Sequence, residues 1–295
     1  VGFFMSPQST SEEMYLFQRL SRTLGVNNID HRTNEQDFAY QDSYPVMPSF
    51  GANLNNIHEF DNIILIGTNI KTEFPILTVR LNDAVKKNTN IYSYHFINMP
   101  EDFDVKKNFV MNNSDLLSVF QDHSLESCRG KKNLLIIGPN ITYFYNQSLF
   151  LQAIEAFASN INATVGYLTD FCNSTSGWIL GNVPHRLPGG EKIKTPGYNT
   201  SQMLEGNLST MIFFNLDPDN DFYNSSALIN ALQKSSCNIF FTSFITPIIE
   251  KYADFIIPIS TYAETDGSYI NIEGKFQTFS KVIQADKSTF EGWRA

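Results

Sequence analysis

Short apolar runs, each closed by a polar turn and followed by a stretch of helical spacing, set the rhythm of this chain. Asn62-Ile63-Ile64-Leu65-Ile66 is a continuous hydrophobic run, as expected for a strand covered on both faces. Gly67-Thr68-Asn69 ends it, a helix is predicted over 74–87, and a second run follows at 91–96. The unit recurs at 134–137, which ends in Gly138-Pro139-Asn140. Its helix carries Leu149, Phe150, Ala153, Ile154, Phe157 and Ala158 on one face, and a run at 164–168 closes it. A third copy takes 211–214, a helix over 225–233, and 238–242. Parallel strands need crossovers of this length, so the pattern predicts an α/β fold with doubly wound, mostly parallel sheets.

The start of the chain follows the same rule. Val1-Gly2-Phe3-Phe4 reads as a strand, and Thr10-Ser11-Glu12-Glu13 is a capping-box pattern ahead of Met14, Phe17, Leu20 and Leu24 at helical spacing. Gly25 is a natural left-handed stop. Residues 26–60 are polar and aromatic with little periodicity and read as a long surface connection. Residues 172–207, rich in Gly, Pro, Asn and Thr, read as an irregular surface excursion. The segment 253–259 reads as a buried strand stopped by Pro258, and Asp266-Gly267 and Glu273-Gly274 as tight-turn pairs. Two lobes, 1–130 and 131–295, or a single unit are expected.

Composition narrows the chemistry. Lys and Arg number 21 against 30 Asp and Glu, a formal charge of −9, which argues against nucleic-acid binding. No run approaches the roughly 18 apolar residues of a membrane-spanning helix. Cys128, Cys172 and Cys237 lie far apart, and His31, His58, His95, His123 and His185 are scattered, so spacing assembles no metal site. An odd cysteine count without a disulfide framework fits a reducing compartment. The abundance of Phe (25) and Asn (30) is what AT-rich coding produces. Because the chain begins with Val1, an upstream piece is expected to have been removed or omitted. Gly67–Asn69 and Gly138–Asn140 stand where open α/β sheets bind ligands, although tight-turn chemistry also explains their glycines. Neither is a dinucleotide or phosphate-loop fingerprint, and no Gly-x-Ser-x-Gly elbow exists. Glu264, Asp266 and Glu273 cluster in sequence and read as hydrogen-bonded structural carboxylates. No catalytic residue is identified.

The most informative stretch runs from Ala253-Asp254 through Pro258 to Glu264, Gly267, Asn271, Glu273-Gly274 and Gln277. Its pattern, Ala-Asp-x-x-Ile-Pro and then Glu-x-x-Gly-x-x-x-Asn-x-Glu-Gly-x-x-Gln, resembles the signature of the molybdopterin oxidoreductase fold. Within that superfamily it most resembles the C-terminal part of the large iron–sulfur subunit of NADH:ubiquinone oxidoreductase, respiratory complex I. The Gly67-Thr68-Asn69 strand–loop–helix and the closing Glu291-Gly292-Trp293-Arg294 agree in order. Ile70 stands where the family has Pro, and Lys275 where it has Arg. The resemblance implies relict pterin-loop positions at Gly67, Thr68, Asn69, Thr246, Glu264, Gly267, Asn271, Glu273 and Gly274, with no cofactor or metal held by this chain. It also implies iron–sulfur clusters and FMN in partner subunits, and packing against other peripheral-arm subunits, above all the cluster-bearing N-terminal half. A scaffold on the matrix side of the mitochondrial inner membrane, with no membrane span of its own, is the expectation. The alternative it leaves is a fragment of an active molybdopterin enzyme of formate dehydrogenase type, with Gly67–Asn69, Thr246 and Glu264–Glu273 gripping the pterin.

Overall fold

Two parallel five-stranded sheets carry the chain in the computed structural model, which describes residues 1–98, 100–111, 119–120, 123–286 and 288–295 (for 123 and 124 the backbone only). The first sheet is assembled from both ends of the sequence: β1 (Gly2–Met5), β2 (Ile29–Asp30), β8 (Thr210–Phe214), β9 (Cys237–Thr242) and β10 (Phe255–Pro258). Its order is β10-β9-β8-β1-β2. The second sheet is contiguous: β3 (Asn62–Ile66), β4 (Asn90–His95), β5 (Lys107–Val110), β6 (Asn133–Ile137) and β7 (Ala163–Tyr167), in the order β5-β4-β3-β6-β7. An antiparallel hairpin, β11 (Gly267–Ile270) and β12 (Phe276–Phe279), stands apart.

Helices fill the crossovers: α1 (Ser11–Thr23), α2 (Ile70–Glu73), α3 (Pro75–Lys86), α4 (Gln147–Asn160), α5 (Ser174–Ile179), α6 (Thr200–Glu205), α7 (Ser225–Lys234) and α8 (Pro247–Tyr252). The capping box expected at α1 is present, with Thr10 Oγ1 accepting from the Glu13 amide and the Glu13 carboxylate accepting from the Thr10 amide. Gly25 follows at φ +73°, the left-handed conformation that ends the helix.

The division expected at residue 130 does not follow the sheets. β6 pairs with β3 along its whole length, from Asn62↔Asn133 to Ile66↔Ile137, so residues on both sides of 130 share one sheet. The second sheet is an insertion between β2 and β8 of the first.

Each sheet has a specific device at its centre. In the second, Asn90, Asn62 and Asn133 lie side by side at the start of β4, β3 and β6. Asn90 Nδ2 donates to Asn62 Oδ1 (3.1 Å) and Asn62 Nδ2 to Asn133 Oδ1 (2.8 Å). Asn133 Nδ2 then donates to the carbonyls of Cys128 (2.8 Å), Lys131 (3.0 Å) and Ile161 (2.7 Å), closing the loops that enter β6 and β7. In the first sheet Phe4, Phe213 and Phe240 are register partners on β1, β8 and β9, stacked at 4.9 and 4.5 Å between centroids. Such stacks add to the burial of three large apolar rings.

Three expectations need correction. Residues 26–60 are not a surface connection: Asp30, His31, Arg32, Thr33, Phe38, Tyr40 and Phe50 are buried. Nor is 172–207 a surface excursion, since Asn173–Trp178, Val183, His185 and Arg186 are buried too. Both segments cross the seam between the sheets, where partners arrive from several directions and no single period can arise. The run at 253–259 is an edge strand, with Phe255 60% exposed, because only β9 flanks it. Pro258, lacking an N–H, is tolerated at such an edge.

Asn133→Leu should lower unfolding stability by about 2–4 kcal/mol in urea denaturation, because it strands the Cys128 and Ile161 carbonyls in an apolar surround.

Candidate functional site

Open α/β sheets bind ligands beyond the carboxyl ends of their strands, at the point where the strand order reverses. Each sheet has one such point. In the second it lies between β3 and β6, where Gly67-Thr68-Asn69 and Gly138-Pro139-Asn140 meet. Gly67 takes φ +66°, and its amide donates to the Tyr94 carbonyl (2.9 Å). Glu73, at the end of α2, turns back over the loop: one carboxylate oxygen accepts from Thr68 Oγ1 (2.8 Å) and the Asn69 amide (3.0 Å), the other from Asn140 Nδ2 (3.1 Å). A crevice of about 290 Å³ opens beside them, with Phe96 and Phe144 packed 4.2 Å apart along it.

The glycines here face protein. A Cβ on Gly138 would stand 2.3 Å from Thr68 Cβ and 2.4 Å from the Gly67 carbonyl oxygen, and one on Gly67 would meet Ile141 and Phe96. The missing side chains let two loops of the same chain touch.

In the first sheet the order reverses between β1 and β8, and the crevice there is larger, about 880 Å³. Glu13, Asp217 and Asp221 line it together with the hydroxyl groups of Thr242, Thr246 and Ser260. Burial raises the carboxyl groups of Glu13 and Asp221 above their ordinary range. Among the described residues, no Lys or Arg lines either crevice.

A third cavity, about 70 Å³, lies in the seam and is one that sequence reasoning missed. Its centre is Arg32. Nε and Nη2 each hold an Asp30 oxygen at 2.8 Å, Nη2 also reaches Gln41 Oε1 (3.0 Å), and Nη1 lies 3.2 Å from Glu35 Oε2. The guanidinium covers the rings of Phe38 (4.7 Å) and Trp178 (5.0 Å). Trp178 also stacks on Tyr44 at 4.6 Å and faces Arg186, which donates to the carbonyls of Gln41, Asp42 and Tyr44. Burial depresses His31 and His185 to about 4, so both are neutral at pH 7. The available signal was Asp30-His31-Arg32 directly after Ile29, a charged triplet at a strand's carboxyl end.

The sequence-predicted positions do not converge on one place. Gly67, Thr68 and Asn69 form the second sheet's switch point, and Thr246 lines the first sheet's crevice. Glu264 accepts from the amide and hydroxyl of Thr261 (2.9 and 3.0 Å) within its own turn. Gly267 opens the hairpin, packed on Thr10 and Phe279. Asn271 Oδ1 accepts from the amides of Glu273 and Lys275 in the hairpin turn, where Gly274 takes φ +77°. Glu273 accepts from the Leu54 amide (3.0 Å) and pairs with Lys275 (2.9 Å), pinning the turn to the loop ahead of β3. Glu264, Asp266 and Glu273, neighbours in sequence, have separate partners, Asp266 accepting from the Lys281 amide. Cys128, Cys172 and Cys237 are free thiols, and among the described residues no three His, Cys, Asp or Glu side chains are grouped to hold a metal. The side chain of His123 lies outside the described residues. Ser93 and Glu101 both meet Nε2 of His95 (2.9 Å each), so one nitrogen faces both groups and no acid–base–nucleophile relay is formed.

Two parallel sheets, each with a switch point, and the 253–277 signature agree with what comparison finds: the family model for molybdopterin oxidoreductase matches residues 1–294. The chain belongs to the molybdopterin oxidoreductase family. It is 21% identical to the F420-dependent formate dehydrogenase subunit alpha of Methanocaldococcus jannaschii, over 99% of this chain and 55% of that protein. It is 23% identical to the mitochondrial NADH-ubiquinone oxidoreductase 78 kDa subunit of Candida albicans, over 96% of this chain and 37% of that one. The chain thus spans between about a third and just over half of these relatives. Among solved structures, a chain of the formyltransferase/hydrolase complex of Methylorubrum extorquens superposes with a TM-score of 0.67 at 11% identity, covering 99% of this chain and 88% of that one; this is a likeness of fold. No helix among the described residues is long and apolar enough to cross a membrane.

The family implies a phosphate-bearing pterin, and the charges that line the two crevices do not match one, while the buried hydroxyls of Thr246 and Ser260 in the first sheet's crevice stand without a partner. The pterin's negative charge would meet Glu73 at one switch point and Glu13, Asp217 and Asp221 at the other, with no lining cation. The loop donors at Thr68, Asn69 and Asn140 already serve Glu73, and the glycine gaps are filled by the chain itself.

Gly138→Ala should cost about 1–3 kcal/mol, read as a lower melting temperature, because the added methyl overlaps Thr68 and the Gly67 carbonyl.

Proposed function

We propose that this chain is a cofactor-free scaffold module in the peripheral arm of a respiratory NADH:ubiquinone oxidoreductase, on the matrix side of the mitochondrial inner membrane. The observation that carries this reading is the switch point of the second sheet, where Gly138 and Gly67 touch and Glu73 takes the Thr68 hydroxyl and the Asn69 amide. The acidic lining of the first sheet's crevice supports it. The likeness to the Candida albicans subunit along nearly the whole chain supports the assembly. On this reading the iron–sulfur clusters and FMN belong to partner subunits, and the chain packs beside the cluster-bearing half of the large subunit. Its contribution to electron transfer is the position of those partners.

A second reading has its own support. The likeness to a formate dehydrogenase alpha subunit covers 99% of the chain, and the crevice beside Thr246 is roomy enough for a cofactor. The two readings separate on the native assembly. The scaffold reading expects this chain in a native-gel band that oxidises NADH, with molybdenum, tungsten and pterin far below one equivalent per chain. Stoichiometric metal and pterin on this chain would replace it with the formate dehydrogenase reading.

A further inference from the structure

The crevice at the first sheet's switch point has a floor and a border of opposite character. The border is built where four strips of chain meet. Ser260 and Thr261 follow β10, and the Ser243 hydroxyl donates to the Ser260 carbonyl (3.2 Å), so the exits of β9 and β10 run side by side. The Ser260 amide donates to the Phe290 carbonyl (2.8 Å), and the amides of Val282 and Ile283 donate to the Ala263 carbonyl (2.9 and 3.1 Å). Phe244, Ile245, Tyr262, Val282, Ile283 and Phe290 thereby gather around the crevice-lining stretch 260–263. All six are exposed, Tyr262 by 80% and Val282 by 82%. Exposed apolar side chains scattered singly are ordinary, whereas a gathered set marks a surface that another macromolecule covers.

The floor is polar and negative. Ser260 is only 6% exposed, and its hydroxyl has no partner; the buried Thr246 hydroxyl has none either. The carboxylates of Glu13, Asp217 and Asp221 line the same space. Glu13 accepts from the Thr10 amide, Asp217 from the Asp219 amide and the Asn220 side chain, and Asp221 from the Asp217 amide. These donors are all neutral. Lys281 and Arg294, on the strips that form the border, both pair with Glu291. The crevice therefore offers acceptors and negative charge without a cation of its own, in a chain of net charge −9. A guest that brings N–H donors and positive charge complements it.

A metal ion or a small amine would use the floor and leave the apolar border bare. A polypeptide loop uses both, because residues beside its basic side chain can pack on the border. The volume of about 880 Å³ lies in the range of clefts that enclose a ligand larger than one side chain. Arginine beside aromatic and aliphatic contacts is also a common composition of protein interfaces.

We propose that the first sheet's crevice seats a loop of a neighbouring subunit, which inserts an arginine or lysine side chain into the floor and packs apolar residues on the border. This deepens the scaffold reading and rests on it for the partner's membership of that assembly.

Tyr262 stands on the rim with its ring in water, so substitutions there change the rim's charge without disturbing the core. The native assembly is prepared with Tyr262→Lys, Tyr262→Ala and Tyr262→Glu, and native gels give the salt concentration that releases half of this chain. That concentration should be lowest for Lys, intermediate for Ala and highest for Glu, since an added cation repels the partner's basic group and an added anion attracts it. Equal release of the Lys and Glu variants, or the reverse order, overturns the proposal. A density map of the unaltered assembly decides separately. A partner's arginine or lysine nitrogen within about 3.2 Å of a crevice oxygen supports the docking, and a crevice filled by a pterin, a free cation or solvent alone overturns it. The scaffold reading is judged apart, by NADH oxidation and metal content of the band, and the release order is read in whichever assembly carries the chain.

Discussion

A guanidinium and a carboxylate taken almost wholly out of water have to be matched at every donor and lone pair, because desolvating each ion costs several kcal/mol before any attraction is counted. The Asp30–Arg32 pair meets most of that demand, and Arg32 Nη1 is left with the Glu35 carboxylate 3.2 Å away. Asp30 takes two guanidinium donors, the Arg32 amide and the Thr200 amide, while Arg32 is flanked by Phe38 and Trp178. Those partners come from the β2 exit, α5 and α6, so one ion pair ties together three segments distant in sequence. Arg186 completes the seam by answering the carbonyls of Gln41, Asp42 and Tyr44, which no strand or helix satisfies.

That requirement explains why the seam looked like loop in the sequence. A strand or helix that buries one face leaves a period of 2 or 3.6, and every strand buried on both faces was readable as an apolar run: 62–66, 134–137, 211–214. Asp30–Thr33, Phe38, Tyr40, Asn173–Trp178, His185 and Arg186 are buried with side chains that reach in different directions, which leaves no period. The apolar run at 255–258 misled for the opposite reason. Its residues are as hydrophobic as those of a central strand, and only pairing reveals that it has a neighbour on one side. The sheets do not follow the division at 130, because sequence order does not announce an inserted sheet.

The candidate site was legible to the level of the loop and no further. Gly67-Thr68-Asn69 was identifiable as a strand-end turn, and Glu273-Gly274 as a turn pair that φ +77° bears out. What Gly67 touches depends on Gly138 and Ile141, some seventy residues on, and what Glu273 binds depends on Leu54, more than two hundred residues back. Local composition holds no trace of either.

The fold of the family and the groups that line its crevices are separable physical matters. A loop that receives an anion must leave backbone amides and hydroxyls available, and buried donors left available cost stability whenever the ligand is absent. A chain answers by keeping the ligand bound or by supplying the acceptor itself. At the second sheet's switch point this chain supplies it, through Glu73, and Gly138 seats the neighbouring loop where a ligand would approach. The first sheet's crevice stays open; Asp217 there accepts from the Asp219 amide and the Asn220 side chain, while the buried hydroxyls of Thr246 and Ser260 have no partner. Within the chain, contacts of its own residues hold the two sheets in register. Their order comes from the asparagine row, the phenylalanine stack and the ion pair in the seam, all made by the chain from its own residues.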